Sequence, residues 1–211
     1  MAVNYQRELD QLLGRLQEEK RVPALLLHSC CAPCSSYVLE YLSRYFEITV
    51  FYYNPSIFPE SEYTKRILEQ QTLISEMETE HPVAFLAGCY DKEKFYEMAR
   101  GLEHVKEGGE RCMRCYELRL RESARMAREG GFDYFTTTLS ISPMKNAAKL
   151  NEIGERLGEE YGVKYLLSDF KKKNGYKRST ELSKEYGLYR QDYCGCEFSL
   201  REAQKRRNQQ I

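Results

Sequence analysis

Seven of the eight cysteines in this chain lie in three tight groups, each placed where a loop meets a helix or a segment ends. The groups are Cys30-Cys31-Ala32-Pro33-Cys34, Cys112-Met113-Arg114-Cys115 and Cys194-Gly195-Cys196. Thiolates bind zinc, copper(I) and iron–sulfur clusters, and neighbouring thiols also act as redox pairs. The spacing therefore predicts a thiolate-rich pocket that holds a metal or redox centre.

The first two groups offer four thiolates in different arrangements. Cys112 and Cys115 fall at the start of a predicted helix, point the same way, and can hold one metal ion or one cluster edge. A helix N-terminus favours negative charge, so we expect it to lower the thiol pKa and assist ligation. Cys30 and Cys31 are adjacent, whereas a zinc clip separates its paired ligands by about two to four residues. Four thiolates is the number that an iron–sulfur cluster takes.

Three further thiols exceed what one cluster needs. Cys34, Cys194 and Cys196 suggest a second metal ion, a redox disulfide, or both. Cys194-Gly195-Cys196 suits a reversible disulfide, because so short a ring is strained and readily reduced. A zinc site with spare buried cysteines is the alternative. The single Cys89 is expected to pack in the interior, and His28 is expected to be a hydrogen-bonded packing residue.

The elements that must position these residues alternate between strand and helix. Apolar, β-rich runs predict strands at 24–27, 48–53, 83–86, 132–138 and 163–167. Helical periodicity and caps predict helices at 1–20, 35–44, 60–80, 92–100, 112–129 and 146–160. This order predicts an α/β fold with a mostly parallel five-stranded sheet and helices on both faces, as in HUP and Rossmann-like domains. Ligands bind at the carboxyl ends of such strands, so the cysteine-rich site belongs at that rim.

Composition limits the remaining possibilities. We expect one domain over residues 1–211, with an N-terminal helix at 1–22 and a basic helix or tail at 197–211. No apolar run approaches the roughly 20 residues of a membrane span, and we expect a cytoplasmic protein with reduced thiols. The 32 basic and 32 acidic residues balance, so any attraction to nucleic acid must be local.

Five motifs in this order resemble the QueH-type epoxyqueuosine reductases. They are CCAPC at 30–34, YNPSIFPESEY at 53–63, RCMRC at 111–115, TTLSISPMKN at 137–146 and YRQDYCGC at 189–196. The resemblance covers nearly all of residues 25–200. It implies reduction of the epoxide of epoxyqueuosine, at the wobble position of tRNA, to queuosine. It also implies a 4Fe–4S cluster, with an adjacent mononuclear iron in at least some members.

The resemblance also implies roles for the cysteines. Cys30, Cys31, Cys112 and Cys115 are expected to hold the cluster. Cys194 and Cys196 would then be a redox-active pair, or would ligate the second iron together with Cys34, a position where some members carry Asp. The chain has no nucleotide-binding fingerprint such as GxGxxG. An external ferredoxin or flavodoxin is therefore the expected electron donor.

Other polar residues are candidates for substrate contact or proton transfer. Asp192 and Tyr193 are the candidates for the proton donor to the leaving oxygen. The residues predicted to bind substrate are Tyr53, Asn54, Tyr63, Arg66, Ser142, Lys145 and Asn146, and those predicted to contact tRNA are Lys171, Lys172, Lys173 and Tyr176, in a basic group with Lys177 and Arg178. A second basic group, Arg201 with Lys205, Arg206 and Arg207, is a further candidate for phosphate contact.

Two other functions compete with this interpretation. A tRNA sulfurtransferase of the adenylating type needs a glycine-rich phosphate loop such as SGGxDS after the first strand, where this chain has HSCCAPC. A zinc-stabilised tRNA-binding module would lack iron and sulfide. Metal analysis of anaerobically purified protein separates the module from both enzymes.

Overall fold

A five-stranded, fully parallel sheet forms the centre of the protein in a computed structural model that describes residues 3–209. The strands are β1 (Ala24–His28), β2 (Glu47–Tyr52), β3 (Val83–Ala87), β4 (Tyr134–Thr137) and β5 (Lys164–Tyr165). Their order across the sheet is β3-β2-β1-β4-β5, and all four pairings are parallel. The predicted α/β architecture is confirmed. Residues 1, 2, 210 and 211 of the predicted terminal segments lie outside the described residues.

Eight α-helices and one short 3₁₀ helix are described in residues 3–209. They are α1 (Tyr5–Glu18), α2 (Ala32–Leu42), α3 (Glu60–Glu76), α4 (Lys92–Ala99), α5 (Glu110–Glu129), the 3₁₀ helix (Thr138–Ile141), α6 (Ala147–Tyr161), α7 (Gly175–Glu185) and α8 (Glu197–Asn208).

Helices cover both faces of the sheet because successive side chains of β1 point to opposite sides. Leu25 and Leu27 pack with α1 and α2 in one apolar cluster, and Leu26 packs with α5 and α6 in another. All three leucines are completely buried. This continuous apolar run is typical of a parallel strand covered on both faces.

The strand register determines which loops meet. His28, the last residue of β1, lies opposite Phe51 of β2 and Thr137 of β4. The segments that follow β1, β2 and β4 therefore leave the sheet at one rim. The first cysteine group, the segment from Tyr53 onward and the 3₁₀ helix all start there.

Several predicted boundaries were wrong. Helix α2 begins at Ala32 with Cys31 as its N-cap, rather than at a Ser35 or Ser36 cap. The reason is Pro33, which lies in the first turn where a missing backbone N–H costs nothing. Strand β4 ends at Thr137, and β5 has only two residues instead of five. The predicted helix 60–80 ends at Glu76.

Helix α7 was not predicted, because its first turn lies in a basic segment that was interpreted as a loop. Its buried residues are one leucine and small side chains, a weak apolar signal, and it packs against α2. A Cβ atom at Gly175 would lie 2.0 Å from the Phe170 carbonyl oxygen and 2.5 Å from the Tyr37 ring. Glycine at the start of α7 is what allows the two helices to approach.

Candidate metal and redox site

The first cysteine group lies at the junction of β1 and α2. The sulfurs of Cys30, Cys31 and Cys34 lie within 4.8 Å of one another, and those of Cys30 and Cys31 are 3.8 Å apart. Within residues 3–209 these are the only three Cys, His, Asp or Glu side chains with ligand atoms so close together. The geometry fits one metal ion, or one end of a larger thiolate-bound group.

A buried polar network holds this junction in place. The hydroxyls of Ser29 and Ser35 both donate to Gln70 Oε1, at 2.7 and 2.8 Å. Asn54 Nδ2 donates to the Ser29 carbonyl oxygen at 2.8 Å. All four side chains are completely buried. The backbone that presents Cys30 is therefore fixed from α2, α3 and the end of β2.

His28 belongs to the support of the site and not to its ligands. Its Nε2 lies 3.0 Å from the Tyr53 carbonyl oxygen and its Nδ1 lies 2.9 Å from Thr137 Oγ1. A carbonyl only accepts, so Nε2 carries the proton and Nδ1 accepts from the hydroxyl. Burial, followed by the charge of Arg119, lowers the pKa of His28 to about 4. The prediction of a hydrogen-bonded packing residue is confirmed.

The three clustered thiols share negative charge unevenly. Hydrogen bonds from the Cys31 and Cys34 thiols hold the pKa of Cys30 well below its ordinary value. The same bonds to Cys30 raise the pKa of Cys31 to about 12 and raise the pKa of Cys34 as well. Without a cation, negative charge in this group is therefore favoured at Cys30 over Cys31 and Cys34. A bound cation would stabilise further thiolates.

The second cysteine group occupies the first turns of α5. Cys112 and Cys115 are both buried, and the Gly108 backbone N–H donates to Cys112 Sγ at 3.2 Å. The expectation that the helix start lowers the Cys112 pKa was wrong, because burial dominates and raises it. Cys112 is therefore a protonated thiol at neutral pH until a metal binds.

The third group presents its two sulfurs to different partners. Cys194 Sγ accepts a hydrogen bond from Lys145 Nζ at 2.9 Å, and the same ammonium lies 3.2 Å from Glu107 Oε1. Cys196 Sγ caps α8 by accepting from the Ser199 backbone N–H at 3.4 Å. Burial raises the pKa of Cys196 to about 11. All eight cysteines of the chain are free.

The buried residue Arg119 links the three groups, and the sequence analysis did not identify it. Its Nε donates to the Cys115 carbonyl oxygen at 3.3 Å, and its Nη1 donates to Asn54 Oδ1 at 3.4 Å. Burial acts to lower the pKa of Arg119, but the charges of Cys115, Cys194 and Cys30 outweigh it and raise the pKa. Thiols of all three groups therefore act electrostatically on one cation. The available signal was its helical spacing from Cys112 and Cys115.

A pocket of about 310 Å³ opens beside these thiols. Its volume is at the small end of the range for ligand-binding pockets. Cys30, Cys31, Cys34 and Cys194 line it. Of the residues predicted to act on substrate, the ones that line this pocket are Arg66, Ser142, Lys145, Tyr176 and Asp192.

Arg66 is the most buried charged side chain of the pocket. Its Nε donates to Glu62 at 2.7 Å, and its Nη1 donates to the Cys194 carbonyl oxygen at 3.5 Å. Its Nη2 is buried without a hydrogen-bond partner among residues 3–209. Such an orphaned donor is costly, so a ligand atom that accepts from it would be stabilised there.

Asp192 lies at the pocket but is tied to a cation. Its carboxylate accepts from Arg207 Nε at 3.0 Å, and this pairing lowers the pKa of Asp192. The carboxyl group is therefore ionised at neutral pH, which does not suit a proton donor. The neighbouring Tyr193 hydroxyl donates to the Phe58 carbonyl oxygen at 2.9 Å.

Four predicted substrate residues lie away from the pocket lining. Tyr53 stacks on Phe51 in the core, and Tyr63 stacks on Tyr90 with ring centroids 4.2 Å apart. Asn54 supports the cysteine junction, as described above. Asn146 caps α6 by accepting from a backbone N–H.

The predicted tRNA-contacting lysines also lie outside the pocket lining. Lys171 Nζ pairs with Asp169 at 2.6 Å, and Lys173 Nζ pairs with Asp10 at 2.7 Å. Lys172 is exposed. Cys89 is exposed as well, so the prediction that it packs in the interior was wrong. It follows β3 in a short segment that leaves the sheet before α4 begins.

Together, the fold and the site define a Rossmann-like α/β protein with a thiol-lined pocket at the rim of its sheet. The family described as "Epoxyqueuosine reductase QueH" matches residues 25–202. This chain belongs to that family.

Individual relatives have the same name. Epoxyqueuosine reductase QueH of Streptococcus pyogenes serotype M1 is 44% identical over 201 residues, covering 94% of this chain and 79% of the relative. The Staphylococcus epidermidis protein is 42% identical, covering 93% of this chain and 84% of its own. The Thermotoga maritima protein is 37% identical over 188 residues, covering 86% of this chain and 93% of its own. Among residues 3–209, no helix has the length and apolar character of a membrane span.

Proposed function

We propose that this chain reduces the epoxide of epoxyqueuosine, at the wobble position of tRNA, to queuosine, and that residues 1–211 act as one epoxyqueuosine reductase-like domain. Family membership identifies the reaction class, an oxidoreduction. The observation that carries the proposal is the pocket of about 310 Å³ lined by four cysteines. A redox-active centre and an enclosed substrate would meet in that space.

The reaction sets what the pocket must supply. Both C–O bonds of the epoxide break, a C=C bond forms, and the oxygen leaves as water. The change consumes two electrons and two protons. Thiolate-bound iron and paired thiols can carry the electrons, and a hydrogen-bonded acid must deliver protons to the oxygen.

The thiols suit a 4Fe–4S cluster held by Cys30, Cys31, Cys112 and Cys115. Cys31, Cys112 and Cys115 are buried, and the charges of Cys30 and Cys115 both act on Arg119. Ligands of a cluster bind separate irons, so the two pairs need not be as close as ligands of one ion. When bound, such a cluster supplies electrons one at a time. An adjacent mononuclear iron would lie near Cys34, whose sulfur is within 4.8 Å of those of Cys30 and Cys31.

We assign Cys194 and Cys196 as the redox pair that stores reducing equivalents as a dithiol. Cys194 lines the pocket, whereas Cys196 is buried behind it. An external one-electron donor such as ferredoxin or flavodoxin would restore the reduced state.

We assign Lys145, in place of Asp192, as the residue that hydrogen-bonds to the epoxide oxygen. Burial acts to lower the pKa of Lys145, but the charges of Cys194, Tyr116 and Glu107, together with the hydrogen bond to Cys194, outweigh burial and raise it. The ammonium therefore keeps its proton at neutral pH, within the pocket. A hydrogen bond from Nζ to the oxygen would stabilise the negative charge that develops as the C–O bonds break.

The proposal is tested by incubating epoxyqueuosine-containing tRNA with anaerobic protein and dithionite. Nucleoside mass spectrometry then measures queuosine. We expect queuosine to form in proportion to the protein added, and none with heat-denatured protein. Unchanged epoxyqueuosine in the presence of iron-loaded, folded protein would contradict the proposal.

A further inference from the structure

Positive charge is concentrated at the pocket although the chain as a whole is balanced. Four basic side chains line the pocket, Arg66, Lys145, Arg190 and Arg206, against two acidic ones, Glu107 and Asp192. The full chain has 32 basic and 32 acidic residues. The pocket is therefore a local site of attraction for anions.

The four basic side chains divide into two pairs by depth. Arg66 and Lys145 are buried and pair with Glu62 and Glu107. Arg190 and Arg206 are exposed, and neither has a carboxylate oxygen within 4.0 Å among residues 3–209. The carboxylate of Asp192, the acidic residue at the same mouth, is taken up by Arg207. The two exposed arginines are therefore available to an anion from outside.

The basic segment that leads into α7, residues 171–178, differs from these two arginines. The charges of Lys171, Lys173 and Arg178 are compensated by Asp169, Asp10 and Glu40. Of the residues predicted to contact tRNA or its phosphates, Tyr176 and Arg206 line the pocket.

Tyr176 offers an aromatic face at the same place. Its side chain is 41% exposed, and the Arg190 guanidinium lies 5.8 Å from the ring centroid. The Arg190 Nη1 also donates to Ser183 Oγ at 3.0 Å, so the two side chains are held together on α7 and the segment after it. Exposed aromatic rings next to arginines are stacking platforms for single-stranded nucleotides.

We propose that Arg190, Arg206 and Tyr176 form an RNA-binding rim around the pocket mouth. The arginines contact the phosphates that flank the inserted nucleotide, and Tyr176 stacks on a neighbouring base. A nucleoside can enter the pocket, but its two phosphates remain at the mouth because burying an unpaired phosphate charge is costly. The strand also has to continue outside the protein. This inference rests on the proposed function.

The rim is tested by the salt dependence of tRNA binding. The probe is epoxyqueuosine-containing tRNA, and the proteins are the iron-loaded wild type, Arg190→Gln, Arg206→Gln and the double variant. Each lost phosphate contact should reduce the slope of log K against log salt by about 0.7. The double variant should lose about 1.4. Lys184→Gln on α7, an exposed lysine outside the pocket lining, is the matched control for removal of a surface charge.

Tyr176→Ala supplies an independent measurement. Loss of a stacking contact should weaken binding roughly 5- to 150-fold at fixed salt, and the salt slope should stay that of the wild type. Arginine variants and the tyrosine variant are therefore expected to change different quantities.

Three outcomes would contradict the proposal of an RNA-binding rim. They are wild-type slopes in both arginine variants, an equal loss of slope in Lys184→Gln, or wild-type affinity in Tyr176→Ala. Binding is read without turnover, so the two proposals fail separately. Rim-dependent binding without queuosine formation would contradict only the proposed reaction, whereas queuosine formation with unchanged slopes would contradict only the rim.

Discussion

The cysteines at the end of β1 and those at the starts of α5 and α8 are built differently. The sulfurs of Cys30, Cys31 and Cys34 lie within 4.8 Å of one another, and negative charge among them is favoured at Cys30. Cys112 and Cys196 instead accept hydrogen bonds from backbone N–H groups, and Cys194 accepts from an ammonium. One region is a preformed ligand cluster, and in the other Cys112, Cys194 and Cys196 each have a polar partner of their own.

This difference separates two tasks that seven cysteines could share. Sulfurs that contact one another gain most from a cation, because it relieves their competition for one negative charge. A dithiol stores two electrons only if both sulfurs can form one S–S bond, with release of two electrons and two protons. Cys194 and Cys196 lie outside the preformed ligand cluster, so they are better suited to electron storage than Cys30 and Cys31 are.

The largest expected effect comes from Cys196→Ser. Turnover should fall to the level without enzyme while the visible absorbance of the cluster remains, because Cys196 is assigned to the redox pair and not to the cluster. Serine is a good N-cap, so α8 should be preserved. Absorbance and queuosine formation are measured on the same sample, with Cys89→Ser as the control for removal of an exposed thiol. Loss of the absorbance would show that Cys196 is a cluster ligand. Retained turnover would show that Cys196 is not part of a redox pair.

Lys145→Met tests the role of the ammonium group that hydrogen-bonds to Cys194. We expect kcat/KM to fall about 10²- to 10³-fold, as for removal of one preorganised donor to a developing oxyanion. Steady-state queuosine formation measures the change. Lys149→Met is the control, because Lys149 lies four residues further along the chain, in α6, and makes only a surface pair with Glu152. A loss of kcat/KM of less than tenfold would show that Lys145 does not stabilise the epoxide oxygen.

His28 makes the support of the first region sensitive to acid. Its folded pKa of about 4 lies below its ordinary value of 6.5, so between these values the unfolded chain binds more protons. Stability should therefore fall by about 3 kcal/mol as the pH drops from 6.5 to 4. Urea unfolding of the metal-free protein across this range measures the loss. In His28→Gln the loss of stability between pH 6.5 and 4 should disappear, whereas replacement of the exposed His104 should leave that loss unchanged. An unchanged slope in His28→Gln would contradict the assignment.

A smaller effect is expected from the buried amide beneath the cysteines. Gln70→Leu removes the acceptor that the Ser29 and Ser35 hydroxyls share and leaves them to bond each other and the Cys31 carbonyl oxygen. The free energy of unfolding should therefore fall by about 1 kcal/mol. The adjacent Gln71 is exposed, so Gln71→Leu should change stability by less than about 0.5 kcal/mol. Equal effects of the two variants in urea would show that the network does not hold the junction.

The sequence predicted the sheet well because its strands are short apolar runs that periodicity detects. The end of β1 placed Cys30 at the rim, and parallel register brought the segments after β2 and β4 beside it. Helix α7 lacks a comparable apolar stripe. The predicted start of α2 was wrong because Ser35 and Ser36, which are common N-cap residues, were preferred over Pro33, which is typical of a first helical turn.

Charge was the feature that sequence reasoning handled least well. Lys173 pairs with Asp10, which is 163 residues away in the chain, so its neutralisation cannot be deduced from local composition. Arg119 shows the opposite failure, since a charged residue on a long polar helix is expected to face solvent and here is buried among thiols. Which charges are available depends on tertiary contacts.

The account rests on Cys30 and Cys31 sharing one iron–sulfur centre with Cys112 and Cys115. The most direct test is the iron and acid-labile sulfide content of anaerobically purified wild type, Cys31→Ser and Cys112→Ser. We predict sulfide in the wild type together with an equal amount of cluster iron and any iron of the adjacent mononuclear site, with visible absorbance that both substitutions abolish. Stoichiometric zinc without sulfide in the wild type, or normal absorbance in Cys112→Ser, would contradict the shared centre.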